Sequence, residues 1–220
     1  MQPSNFITMC LACFACQFLI TGFARLHNSN RLFTETGKPA RSMPLLIVSH
    51  VAGACCLGLL PWLVESGSHI PSATPDVVRI TFFVIAVFLV VAVGCYAGSL
   101  VKLKESLALF PRHLVYIYFT ARVLFLCSYE YFFRGILLFE TGLLMGTLHA
   151  IIISTTFTVL LHVFTNKKEM LACIPFGLLQ CILCIYLQSV WPAMLVHVAL
   201  SMAYELAAIK QLTHKTNLAT

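Results

Sequence analysis

The chain has 220 residues, of which 60% are apolar and only 10% are charged. Soluble domains carry about 25% charged residues, so this composition excludes a disordered chain, a basic nucleic-acid-binding domain and most soluble enzymes. The net charge of +6 comes from 14 Lys+Arg against 8 Asp+Glu and is read through where the basic residues fall.

Uncharged runs define the expected elements. Residues 5–24, 42–64 and 80–101 carry no Asp, Glu, Lys or Arg. Residues 113–139 are apolar but hold Arg122, Glu130 and Arg134. Residues 141–166 are free of formal charge and carry His149 and His162. Residues 170–204 are too many for one crossing of about 20 residues. A break is therefore expected near residues 188–192, with Ser189 as N-cap and Pro192 in the first turn of the last helix. The fold class is all-α: a polytopic transmembrane helical bundle of about seven spans (roughly six to eight).

The basic residues test that order. Arg25, Arg31, Lys38 and Arg41, then Lys102, Lys104 and Arg112, then Lys167 and Lys168, then Lys210 and Lys215 all fall on one side if the spans alternate. Only Arg79 flanks a loop on the other side. Positive charge collects in the cytoplasm, so the N-terminus is expected outside and the C-terminus inside. No basic residue precedes the first apolar run, so a cleaved signal peptide is not expected.

The hairpin after the fourth span is expected between Gly142 and Gly146. Glu130 lies 16 residues before Gly146 and His162 lies 16 after it, which sets both about 24 Å from the turn. Arg122 then falls at the cytoplasmic edge, and Tyr116, Tyr118 and Phe119 form an interfacial belt. Glu205 is expected near the cytoplasmic end, in water.

An ionisable group inside a span is a functional hypothesis by default. Glu130 and Arg134 share a helix face at i, i+4, as do His197 and Ser201. A carboxylate beside an imidazole can deprotonate water, and a second imidazole with a hydroxyl can hold an oxyanion. These groups suit amide hydrolysis within a membrane bundle. A haem-bearing electron carrier is a competing class, but His149 and His162 are 13 residues apart and fall on opposite helix faces. The ten cysteines lie mostly in apolar stretches, as packing residues and not as a disulfide framework. Cys10, Cys13 and Cys16 form a CxxCxxC run without a fourth cysteine nearby, a poor match to an iron–sulfur motif.

The sequence Tyr129-Glu130-Tyr131-Phe132-Phe133-Arg134-Gly135 resembles the EExxFRG motif of the CPBP family, the CAAX prenyl protease and bacteriocin-processing (Abi) intramembrane endopeptidases. Residues 157–162, FTVLLH, resemble its second motif, FxxxH, and residues 189–201, SVWPAMLVHVALS, its WP-initiated helix with HxxxN. The resemblance covers about residues 120–208. It implies 1–110 as N-terminal transmembrane helices, 111–210 as a catalytic core and 211–220 as a cytoplasmic tail.

The resemblance also implies roles. Glu130, His162, His197, Ser201 and Arg134 are the expected catalytic residues. Glu130 serves as catalytic carboxylate oriented by Arg134, His162 as base or water ligand, and His197 with Ser201 as oxyanion holders. No cofactor is required, although a divalent metal such as zinc would fall to Glu130, His162 and His197. The expected partners are membrane lipid and a membrane-associated peptide or protein substrate, with no nucleic acid. The expected location is a multi-pass protein of the bacterial inner membrane. The departures are Tyr129 in place of the first glutamate, one extra residue in the second motif, and Ser201 in place of asparagine. A phenol ionises only near pH 10, so Tyr129 is no base at neutral pH. The alternative reading is therefore a catalytically impaired scaffold or a bacteriocin self-immunity protein.

One mismatch remains at this level. His197 stands only six residues after Trp191, or about 9 Å of helix rise. With the break at the membrane surface, His197 would be far shallower than His162.

Overall fold

The uncharged runs fold as helices because a backbone in lipid must satisfy its own hydrogen bonds. The computed structural model describes residues 3–33, 38–64, 76–101, 111–165 and 167–218. Among these residues are seven helices and no strand. They are α1 (Pro3–Leu26), α2 (Met43–Val64), α3 (Val77–Ser99), α4 (112–145), α5 (Thr147–Phe164, ending in a 3₁₀ turn), α6 (Lys167–Leu187) and α7 (Trp191–Leu218). All but α4 are long and apolar enough to cross a membrane. Helix α4 is longer than any span needs, at about 1.5 Å per residue, and it carries the charged triplet. The protein is an integral, multi-pass membrane bundle.

Neighbouring contacts give the directions. His50, Gly53 and Gly58 of α2 meet Tyr118, Phe125 and Ser128 of α4 in the same order, so these helices run parallel. Tyr118 and Arg122 of α4 meet Glu205 and Ser201 of α7 in reverse order, so these run antiparallel. Helices α3 and α7 run parallel, with Phe83 on Trp191 and Gly94 on Leu200. Gly94 and Gly98 form a GxxxG pair, which lets helix backbones touch. A Cβ at Gly94 would lie 2.7 Å from the Leu200 carbonyl. These directions match simple alternation of seven crossings. Lys102 and Lys104, two of the residues that set the expected orientation, lie outside the described residues.

Three local features place the site. The α4–α5 hairpin turns at Gly146, within the expected window, where φ is +85°. A side chain there would be strained. Helix α4 widens to a π turn over Tyr131–Leu137, where Leu138 N–H reaches back five residues to Phe133. A second π turn, Cys55–Leu59, lies in α2. Such turns concentrate at functional sites. The third feature is the break before α7. The helix begins at Trp191 with Pro192 in its first turn, so Ser189 stands one residue short of the expected cap position. The break is sunk into the bundle. Trp191 packs edge-on against Phe83, six residues into α3, at 4.7 Å between ring centroids, which is about 9 Å along that helix. Gln180 donates to the Ala193 carbonyl at 3.0 Å. This recess carries His197 to depth and removes the mismatch left by the sequence.

Helix α7 continues through Leu218, so the expected tail is helical for most of its length. None of the ten cysteines is in a disulfide, and Cys56 Sγ donates to the Cys13 carbonyl at 3.3 Å.

Candidate active site

Glu130 ends the regular part of α4, and its carboxylate is almost fully buried at 1% exposure. Oε1 accepts from His197 Nδ1 at 2.5 Å. Oε2 lies 3.6 Å from Arg134 Nε, an ion pair without a hydrogen bond. Arg134, also 1% exposed, donates from Nη1 to Ser154 Oγ at 3.1 Å and Thr158 Oγ1 at 2.7 Å. Gly177 of α6 makes room for it, since a Cβ there would come within 3.2 Å of Arg134 Nη2. A counter-charge on its own helix and two hydroxyls on α5 are what make a buried guanidinium tolerable.

His197 sits between two aromatic edges, Tyr129 at 5.7 Å and Phe176 at 5.3 Å between centroids. His162 caps α5, and its Nδ1 lies 2.9 Å from the Thr158 carbonyl. A carbonyl can only accept, so Nδ1 carries the proton and Nε2 is left as an acceptor. Both histidines line a cavity of about 420 Å³ that all seven helices help to wall. A neighbouring pocket of about 220 Å³ is lined by Glu130, Arg134, Thr158, His162, Cys173 and His197, among others. A bidentate ion pair, Arg31 to Glu169 at 2.9 and 2.7 Å, stands on the wall of the large cavity.

The structure thus brings Glu130, Arg134, His162 and His197 together. It pairs Glu130 with His197 and not with His162. Ser201, one turn beyond His197, is held by Arg122 from Nε at 3.3 Å and from Nη2 at 3.2 Å. Two expected positions are corrected. Glu205 is not in water but 5% exposed, accepting from Tyr118 OH at 2.8 Å and lying 3.6 Å from Arg122 Nε. Tyr118 is fully buried and not in an interfacial belt, whereas Tyr116 is exposed. Arg122 lines the large cavity. The cause is the loop after α1 and the start of α2, whose Leu32, Phe33, Met43 and Leu46 build a core around Tyr118. His149 lines neither cavity.

Sequence reasoning missed His50, Ser154 and Thr158. Ser154 and Thr158 stand at i, i+4, one helix turn before His162, which is a readable signal. His50 has only the neighbouring Ser49 to mark it.

The metal option can be tested on the donors. Among the described residues, no three His, Cys, Asp or Glu side chains gather closely enough to hold an ion. Glu130, His162 and His197 as arranged do not fit a metal, so no step below runs through one.

Residues 111–203 match the family described as type II CAAX prenyl endopeptidase Rce1-like. No curated protein and no solved structure matches the chain. The matched stretch holds all of α4, α5 and α6 and the first half of α7, with every residue of the Glu130–His197 site. The segment 111–203 is thus similar to the Rce1-like family of CAAX prenyl endopeptidases.

Proposed function

We propose that the protein is an intramembrane endopeptidase that hydrolyses a peptide bond of a membrane-associated chain, with His197 as general base and Glu130 as its orienting carboxylate. The observation that carries this is the 2.5 Å Glu130–His197 bond beside a cavity that also holds His162. A carboxylate on Nδ1 fixes the tautomer, leaves Nε2 as base and stabilises the imidazolium that forms. His162 has the same free nitrogen but only a neutral carbonyl behind it. It is the better water holder and the poorer base.

The steps follow. A water donates one proton toward each Nε2. His197 takes its proton as the water oxygen attacks the peptide carbonyl carbon. The carbonyl oxygen becomes an oxyanion and accepts from the Ser201 hydroxyl. The C–N bond then breaks, and His197 returns the proton to the leaving amine. The Arg134 guanidinium, 3.6 Å from Glu130, stands as its counter-charge inside the bundle. Orientation with the basic loops inside would open this chemistry to chains anchored at the cytoplasmic leaflet.

The test uses full-length protein in lipid nanodiscs with fluorogenic prenylated peptides ending in a CAAX sequence, the substrate named by the matching family. Cleavage is expected from the wild type and is lost in Glu130→Gln. Equal cleavage by both proteins would overturn the reading.

A second reading has one observation in its favour. Tyr129 stands where the family pattern has glutamate, and its hydroxyl is buried without a hydrogen-bond partner. On that reading the protein is a non-catalytic scaffold, and hydrolysis would arise only in Tyr129→Glu.

A further inference from the structure

Arg122 is the one charged group of the large cavity that the mechanism above leaves unused, apart from the Arg31–Glu169 pair and Glu205. It lies eight residues before Glu130 on α4, or about 12 Å along the helix. Each of its three nitrogens has a partner. Nε and Nη2 both donate to Ser201 Oγ, and Nη1 lies 3.0 Å from His50 Nε2. His50 Nδ1 is 2.7 Å from the Leu46 carbonyl, which can only accept. Nδ1 therefore carries the proton, and Nε2 accepts from Arg122. Glu205, held by Tyr118, lies 3.6 Å from Arg122 Nε and balances its charge.

The direction of this network matters more than its size. A hydroxyl has two acceptor sites and one proton. Both acceptor sites of Ser201 are filled by one guanidinium. Its proton has no acceptor among the described residues, and Ser201 lines the cavity that holds His197 and His162. A hydroxyl that accepts from a cation is also polarised toward stronger donation. Its only remaining role is to donate into the cavity.

We infer that Arg122 is a positioning residue that turns Ser201 into the oxyanion donor, with His50 and Glu205 fixing the guanidinium. This makes up for the side-chain amide that the HxxxN pattern places where Ser201 stands. An amide carries its own fixed N–H donors, whereas a free hydroxyl rotates and can turn its proton elsewhere. The inference rests on the hydrolytic reading above.

The experiment measures kcat and KM of full-length variants in nanodiscs, with melting temperature as a check on folding. Ser201→Ala removes one oxygen and lowers kcat by about 10²-fold, the scale of one lost oxyanion donor, with KM nearly unchanged. Arg122→Gln lowers kcat by at least about tenfold, again with little change in KM. Ser201→Asn keeps most of the activity, and in that background Arg122→Gln has an effect of less than about threefold. An equal loss from Arg122→Gln in both backgrounds makes Arg122 a structural residue and overturns the inference. Wild-type kcat in Ser201→Ala overturns it as well, even if Arg122→Gln does not fold, and leaves the endopeptidase intact. Absence of cleavage by the wild type overturns the hydrolytic reading, and this inference with it.

Discussion

His162 and His197 reach one cavity from different helices, and each has its Nδ1 engaged, one by the Thr158 carbonyl and the other by the Glu130 carboxylate. The two rings differ in what stands behind their Nδ1 atoms. That difference assigns their roles and is open to measurement.

Replacing His197 by Ala or Gln removes the base and lowers kcat by about 10²–10⁴-fold. At position 162 the two substitutions differ. His162→Ala lowers kcat strongly, while His162→Gln recovers much of it, because an amide oxygen can still accept from the water. Steady-state cleavage of a membrane-anchored peptide checks this. Equal residual activity of the two Gln variants would overturn the assignment.

Glu130→Gln leaves an amide where the imidazole needs a carboxylate, and kcat falls by about 10³–10⁴-fold. It also leaves Arg134 buried without its counter-charge, which destabilises the fold by about 3–5 kcal/mol. The double variant Glu130→Gln with Arg134→Met removes both charges and recovers much of that stability. It recovers none of the activity. Melting in lipid nanodiscs beside cleavage assays separates the two effects.

The Tyr129 hydroxyl is buried and unpartnered, so Tyr129→Phe is expected to keep kcat and to melt at or slightly above the wild-type temperature. Tyr129→Glu sets a second carboxylate beside Glu130 in a buried place, where two like charges cannot both ionise. Activity is expected to fall in that variant. A gain of hydrolysis would instead establish the scaffold reading.

Dialysis against a strong chelator is expected to leave kcat unchanged, because Glu130 is committed to His197 and the donors do not converge on one point. Loss of activity that zinc restores would contradict this.

Much of the bundle was legible because scarce charge leaves long uncharged runs. Six of the seven helices follow those runs, and the turn at Gly146 follows from glycine and from the depth match of Glu130 with His162. The Glu130–Arg134 spacing was legible because i, i+4 is local. The Arg122 network was not, since His50 is 72 residues away and Ser201 is 79. Nothing local says that α2 runs parallel to α4. Glu205 and Tyr118 were misplaced for a related reason. Position near a span end suggests water, but the segment around Leu32 and Phe33 folds over them. The depth of His197 depended on the recessed break at residues 188–190, which is set by packing against α3.

The π turn at Tyr131–Leu137 has a consequence for how this chain can vary. It holds one residue more than an α-helix of the same rise. Deleting a single residue there would yield an ordinary, better hydrogen-bonded helix. It would also rotate the helix on one side of the turn by about 100° against the other. If the deleted residue lies between Glu130 and Arg134, Glu130 could then face His197, or Arg134 could face Ser154 and Thr158, but not both. The π turn is the register pin of the site: a lineage that shortened it ahead of Arg134 would lose the alignment on which hydrolysis depends.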